Sequence, residues 1–227
     1  MNVLITGASK GIGFETAKLF SLEKENKIIC VSRNEFKGVV QNNHVQSVKF
    51  DLEKEDIETH LLPEIKSRFS SIDILINNAG TLILKPFEQL SDADWKTIFE
   101  VNLFSLVRLT KNLIPLMGRN SRGHIVNISS MGGYQGSLKF PGLTAYSASK
   151  GALAVFTECL AVELQEKNIA VNCLCPGGVQ TDMFSTAFPG SKATMTAKQM
   201  AEKIVAFSTT AHKTMTGKIV PVSSSNP

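Results

Sequence analysis

Short apolar runs alternate with longer stretches of helical periodicity along this chain, and that alternation limits the folds open to it. Seven runs read as strands: 3–6, 28–32, 46–50, 72–77, 124–129, 170–174 and 218–222. Several, such as Val3-Leu4-Ile5 and Ile28-Ile29-Cys30-Val31, are apolar at every position. A strand with one wet face alternates in polarity, whereas a strand apolar throughout is buried on both faces, as in a parallel sheet. Four segments carry helix signals. Segment 11–25 places Ile12, Leu19 and Phe20 on one helical face. Segment 91–117 opens with Ser91 and Asp94, a pattern that caps a helix start. It holds Pro115 near its end, where a helix kinks or stops. Segments 144–166 and 197–212 complete the set. Strand and helix in repeated alternation predict an α/β doubly wound parallel sheet with helices on both faces. With no linker, repeat or low-complexity stretch, residues 1–227 read as one domain.

Composition excludes several classes. Apolar residues make up 43% and charged residues 19%, which is globular rather than disordered. A chain of 227 residues buries enough surface to fold without disulfides or metals. The net charge of +4 is scattered, with no basic run of the kind that marks a nucleic-acid footprint. Cys30, Cys173 and Cys175 sit inside strand-like runs. The lone C-x-C of Cys173 and Cys175 lacks the second pair that a metal site needs, so reduced, buried thiols are expected. The N-terminus enters directly into a strand, and no apolar run reaches the ~18 residues of a membrane span. The expectation is a cytoplasmic protein with no metal, no nucleic-acid partner and no membrane.

The first strand ends in Thr6-Gly7-Ala8-Ser9-Lys10-Gly11-Ile12-Gly13, and a helix follows. Glycines there let the backbone turn sharply and let a pyrophosphate approach, while the helix start offers free N–H groups. The spacing is G-x3-G-x-G, not the common G-x-G-x-x-G, and no Lys-Ser/Thr pair follows it as in a phosphate loop. Alone, it reads equally as a tight strand-to-helix turn. Further along come Asn77-Asn78-Ala79-Gly80, Asn102, Ser129-Ser130, Tyr146-Ser147-Ala148-Ser149-Lys150 and Pro176-Gly177-Gly178-Val179-Gln180-Thr181. This ordered set strongly resembles the short-chain dehydrogenase/reductase family over residues 3 to 181, and the last ~45 residues resemble it in outline only.

The resemblance implies a Rossmann-like fold of seven parallel strands in the order 3-2-1-4-5-6-7, with a nicotinamide dinucleotide across the C-terminal strand ends. It implies Ser130, Tyr146, Lys150 and Asn102 as the catalytic set, with Ser129 as the alternative to Ser130. It implies a cofactor site of Gly7, Ser9, Lys10, Gly11, Ile12, Gly13, Arg33, Asp51, Leu52, Asn78, Ala79, Gly80, Tyr146, Lys150, Pro176, Gly177, Val179 and Thr181. Tyr146 and Lys150 lie four apart on a predicted helix and so share a face. An ammonium beside a phenol favours the phenolate, so Lys150 is expected to lower the Tyr146 pKa and let it move a proton near neutral pH. Ser130 would hydrogen-bond the same substrate oxygen. In the family, the lysine also holds the nicotinamide ribose and the helix asparagine places a relay water. Taken singly, each of these residues reads as structural; the joint pattern does not. None of the four histidines falls in such a motif.

The second strand ends in Ser32-Arg33, where an acidic residue would bind both ribose hydroxyls of NAD. A guanidinium suits a 2′-phosphate, and Lys10 is placed to add a second charge, so NADP(H) is the expected cofactor. The substrate is read as a small carbonyl compound or secondary alcohol, with 3-oxoacyl thioesters among the candidates. The alternative is a non-enzymatic NADP(H)-binding regulator on the same fold. The 130–146 interval, longer than usual for the family, carries a mostly apolar lining. The segment after Thr181, which holds Phe184, Phe188, Pro189 and Met195, is short for a substrate lid and predicts an open site. The long helices 91–117 and 144–166 resemble those that pair subunits in the family, so a homodimer or homotetramer is expected. The chain ends at 222–227 without the Asp-Gly-Gly that many relatives carry there, which leaves the higher assembly open.

Overall fold

In the computed structural model, which describes residues 1–34 and 44–223, all seven predicted strands form. They are β1 (Asn2–Thr6), β2 (Lys27–Ser32), β3 (Val45–Lys49), β4 (Ile74–Asn77), β5 (Gly123–Ile128) and β6 (Ile169–Pro176). A two-residue pair, β7 (Val179–Gln180) and β8 (Met195–Thr196), intervenes before β9 (Ile219–Val222) returns to the sheet. The spatial order is β3-β2-β1-β4-β5-β6-β9, and the paired strands run parallel. The order matches the expected one, with β9 as the seventh strand. It reverses between β1 and β4: Val3 pairs with Ile28 on one side and with Ile74 on the other. Such a switch point opens a crevice at the C-terminal strand ends. The last four residues, 224–227, lie outside the described part, and with them most of the terminal segment singled out above.

The continuous hydrophobicity of the strands is explained by two cores. Side chains alternate across a strand, so Leu4 and Ile29 enter one core while Val3, Ile5 and Ile28 enter the other. On one face lie α2 (Leu62–Arg68), α4 (Ser105–Leu113) and α5 (Thr144–Glu163). On the other lie α1 (Gly11–Phe20) and α7 (Ala197–Thr210). The helix over 57–68 has no counterpart among the four predicted ones. It opens as a π turn capped by Asp56, which accepts from the Thr59 N–H at 2.8 Å. Pro63 sits where the π turn passes into α2. Ile57, Leu61 and Ile65 form its buried stripe.

The predicted helix 91–117 is divided. Ser91 and Asp94 form the expected capping box on α3 (Asp92–Phe99). A π turn, Glu100–Phe104, separates α3 from α4, and the last turn, Ile114–Leu116, tightens around Pro115. Buried polar groups staple the layers together. Asn77 donates to Thr110 and Asn127, and Asn127 donates to Thr157. His124 Nδ1 donates to the Ser208 carbonyl, so its Nε2 accepts from Asn172. Burial pushes that imidazole down to about 4, and it stays neutral as a structural group.

Candidate active site

The glycine turn owes its shape to close backbone approach. Gly7 stands at φ +68° with the Ala79 Cα 2.8 Å from where a Cβ would be, and a Cβ on Gly13 would overlap the Gly7 carbonyl oxygen. Asn78 sews the second turn to the first, its amide donating to the Thr6 and Gly7 carbonyls at 3.0 and 3.2 Å. The Thr6 hydroxyl accepts from the Asn78 and Ala79 N–H groups. Thr6 and Asn78 thus set the cradle together, although the sequence motif marks Thr6 only as the residue before the first glycine. Lys10 is the N-cap of α1 and makes no side-chain cap, so the amides of the first turn are left for another acceptor. A cradle that no Cβ could share, at a helix start with spare donors, fits a pyrophosphate.

From this turn a cleft of about 690 Å³ runs along the strand ends. Every predicted site residue lines it except Gly13 and Asn102. Gly13 lies behind the turn and acts by absence of bulk. Asn102 is wholly buried in the π turn, where its Oδ1 accepts from the Thr81 N–H at 2.7 Å and its Nδ2 donates to the Thr81 carbonyl and Ser149 Oγ. A Cβ on Gly80 would sit 3.3 Å from both Asn102 Oδ1 and Lys150 Nζ, so Gly80 is the spacer between them. The extra residue of a π turn is a common device at functional sites for aiming one side chain inward.

Tyr146 and Lys150 project from the first turns of α5. Ser130 lies beside the Tyr146 phenol, where its hydroxyl favours the ionised form, and it accepts from the Gly132 N–H at 3.1 Å. The Ser129 hydroxyl is committed to the Lys150 carbonyl at 2.7 Å, which leaves Ser130 as the serine turned to the phenol. Lys150 Nζ donates to the Ile128 carbonyl at 2.8 Å. Burial brings that ammonium down to about 8. Burial also pushes the Tyr146 phenol up, and the Ser130 hydrogen bond offsets this only in part. The expected lowering of Tyr146 by Lys150 is therefore not present in the protein alone. The cost of burying a phenolate wins, and the ammonium is turned to Ile128.

Arg33 is exposed at the end of β2 and lines the cleft, and Ser32 is fixed by a 2.7 Å bond to the Asn34 carbonyl. Lys10, expected to add a second charge, pairs with Asp182 at 2.8 Å, both side chains being exposed. The lid after Thr181 is better formed than its length suggested. It comprises α6 (Asp182–Ala187) and β8, which pairs back onto β7 just before Thr181, and Phe184, Ala187 and Phe188 reach the cleft.

The chain matches the short chain dehydrogenase family over residues 1–192. It belongs to that family. It is 33% identical over 187 residues to a 3-oxoacyl-[acyl-carrier-protein] reductase of Chlamydia muridarum, covering 79% of this chain and 74% of that protein. Among solved structures, a short chain dehydrogenase from Escherichia coli CFT073, complexed with NADPH, superposes with a TM-score of 0.85 at 28% identity, covering 97% and 95% of the two chains. The Brucella melitensis 3-ketoacyl-(acyl-carrier-protein) reductase, complexed with NADH, gives 0.85 at 26%, covering 97% and 96%. The chain is thus a short-chain dehydrogenase/reductase, an oxidoreductase family whose structures hold either nicotinamide dinucleotide.

Proposed function

We propose that this protein is an NADP(H)-dependent reductase of carbonyl compounds, or dehydrogenase of the matching secondary alcohols, with Ser130, Tyr146, Lys150 and Asn102 as its catalytic set. The observation that carries this reading is the meeting of Tyr146, Ser130 and Lys150 in the cleft that the glycine turn opens. A bound nicotinamide dinucleotide supplies hydride to the substrate carbon, or takes it away. The chain's own groups handle the proton. Tyr146 gives its phenolic proton to the carbonyl oxygen in reduction and takes it from the alcohol in oxidation. Ser130 donates a hydrogen bond to the same oxygen as charge gathers there. Lys150 would hold the ribose, and its charge would favour the phenolate once it turns from Ile128 toward the site. Asn102 holds the turn after Gly80 against α5 and keeps the relay side of Lys150 in place.

The turn residues Gly7, Ser9, Gly11 and Ile12 would hold the pyrophosphate, with Gly13 leaving room behind the turn, and Asp51 and Leu52 the adenine edge. Asn78, Ala79, Gly80, Pro176, Gly177, Val179 and Thr181 would line the remainder. Arg33 beside Ser32, with no carboxylate at the end of β2 among the described residues, supports NADP(H) over NAD(H). A 2′-phosphate would compete with Asp182 for Lys10. The similarity to a 3-oxoacyl reductase supports thioesters as one class of carbonyl within reach. Four free cysteines, three of them buried, suit a reducing cytoplasm, and among the described residues no helix is long and apolar enough to cross a membrane.

Replacing Tyr146 by Phe tests the reading, since it removes the proton donor and keeps the ring. Carbonyl reduction should fall by at least ~100-fold while nucleotide affinity holds, and Lys150→Met should damage both. Near-normal turnover by Tyr146→Phe would overturn the assignment. Nucleotide binding with no turnover on a broad carbonyl panel would point instead to the regulator. A homo-oligomer is part of the proposal: Phe104, Val155 and Val162, near and on α4 and α5, are 48%, 58% and 74% exposed. Sedimentation at micromolar concentration should give at least a dimer, and Val162→Glu should shift it toward monomer.

A further inference from the structure

The cleft is divided by charge. Its ionisable side chains cluster at the glycine turn, at the ends of β2 and β3, and at Lys150, while Asp182 is tied back to Lys10. Toward the lid the lining changes to Leu138, Phe140, Leu143, Met183, Phe184 and Phe188, none of which can ionise. Three of these are rings in mutual contact. Phe140 meets Phe188 edge-on, with centroids 5.0 Å apart and planes at 78°, and Phe184 meets Phe188 at 5.1 Å. Edge-to-face packing of this kind holds a ring in a fixed attitude.

These rings come from two segments distant in sequence, and each is anchored. The loop carrying Phe140 is tied down at Gly142, whose carbonyl accepts from the Lys85 N–H at 3.1 Å and whose missing Cβ leaves room for Leu84. Phe184 packs against Gly178, its Cε2 3.0 Å from where a Cβ would be. Phe188 ends α6, its N–H bonded to the Phe184 carbonyl at 2.8 Å. Lys139, next to Phe140 in the chain, is turned back on its own loop, donating to the Tyr134 carbonyl and Ser137 Oγ at 2.6 Å each. Yet Phe140 is 45% exposed and Leu138 67% exposed at this end of the cleft, so the wall is built but only partly covered.

We propose that this end of the cleft is a neutral, apolar subsite that takes the hydrocarbon substituent of a carbonyl compound and excludes ionised ones, with Phe188 as the specificity-determining residue. The proposal rests on the oxidoreductase reading for what happens at the carbonyl, but not for what the subsite binds. A hydrocarbon group laid on these rings completes their burial and gains the hydrophobic term. A carboxylate laid on these six side chains would give up its water and gain neither charge nor hydrogen bond from them. The substrate class is therefore an uncharged ketone or alcohol, or a neutral acyl chain, whose group beyond the reacting carbon is apolar.

Two ring ketones of similar size separate the outcomes: 4-methylcyclohexanone and 4-oxocyclohexanecarboxylate, which differ at the far end of the ring. With NADPH present, the protein should prefer the methyl compound by at least ~10-fold in kcat/KM. Phe188→Ala should lower kcat/KM for the methyl compound by about tenfold, mainly through KM, and leave the acid nearly unchanged. Phe188→Leu should retain the preference. Equal rates, or preference for the acid, in the unaltered protein would overturn the proposal without recourse to any variant. Saturation-transfer NMR on the protein without nucleotide reads the subsite independently of turnover. If neither ketone is reduced but the methyl compound alone is bound, and Phe188→Ala abolishes that binding, the oxidoreductase reading falls and the subsite stands. If both compounds bind alike, the subsite falls whatever the turnover.

Discussion

The two halves of the cleft are built by opposite means. The half at the glycine turn is shaped by backbone: Gly7, Gly11 and Gly13 are there because a Cβ would strain or fill the turn, and Asn78 bonds to main-chain carbonyls. The half at the lid is shaped by side chains, through the contacts of Phe140, Phe184 and Phe188 across two loops. Backbone constraints fall on a few residues at fixed spacing and tolerate little change. Side-chain walls can be repacked by residues of similar volume. The lesson is that the first half can serve one ligand throughout a family while the second is retuned from member to member.

The sharpest way to test this contrast is to change one residue in each half. Gly13→Ala drives a Cβ into the Gly7 carbonyl, and overpacking of up to ~3 kcal/mol should weaken NADPH and NADH alike by about 100-fold. Calorimetric titration reads this directly. The matched change in the other half, Phe140→Leu, should leave both affinities within about twofold. A tolerant Gly13 would mean that the turn is not the rigid element described. Next in size is Arg33→Ala, which should weaken NADPH by roughly 10- to 100-fold, the worth of one charge-assisted contact, and leave NADH nearly unchanged. Equal affinities in the unaltered protein would remove NADP(H) preference from the proposal. The smallest effect is spectroscopic and concerns Tyr146, between the two halves. The chain has two tyrosines, Tyr134 and Tyr146. Since burial raises the phenol, ultraviolet titration of the nucleotide-free protein should show one tyrosine ionising above the ordinary ~10, and that step should vanish in Tyr146→Phe. A nucleotide-free Tyr146 that ionises below 10 would show Lys150 already acting on it.

The same division explains what could be read without coordinates. The strands and the glycine and asparagine motifs were legible because each rests on local periodicity or on a backbone demand that few residue types meet, while the strand order came from the family resemblance that those motifs carry. The division of 91–117 was not, since Asn102 occupies a π turn that has no distinctive composition. The helix over 57–68 was also overlooked, although Ile57, Leu61 and Ile65 carry its spacing; Pro63 and a charged start obscured it. Phe140, Phe184 and Phe188 were visible as apolar residues but not as one cluster, because Phe140 and Phe188 meet only through tertiary packing. Asp182, which holds Lys10, had no sequence signal beyond its place after Thr181. The direction of the Tyr146 shift was misread because helix spacing places Lys150 near the phenol but does not say that its ammonium is bonded to Ile128.

Gly133 has a bearing on how such a protein can be altered. A Cβ there would lie 2.5 Å from both the Gly151 nitrogen and the Lys150 carbonyl carbon, so the turn after Ser130 rests directly on the backbone of α5. The spacing of Ser130 and Tyr146 is thereby fixed by main chain on main chain. Residues 138–142, between the Ser137 bond to the Met131 carbonyl and the Leu143 carbonyl that starts α5, are then the stretch whose length and side chains can vary with least effect on either hydroxyl. Grafting a loop of another length at that place would recast what the protein accepts while leaving the reacting groups in register.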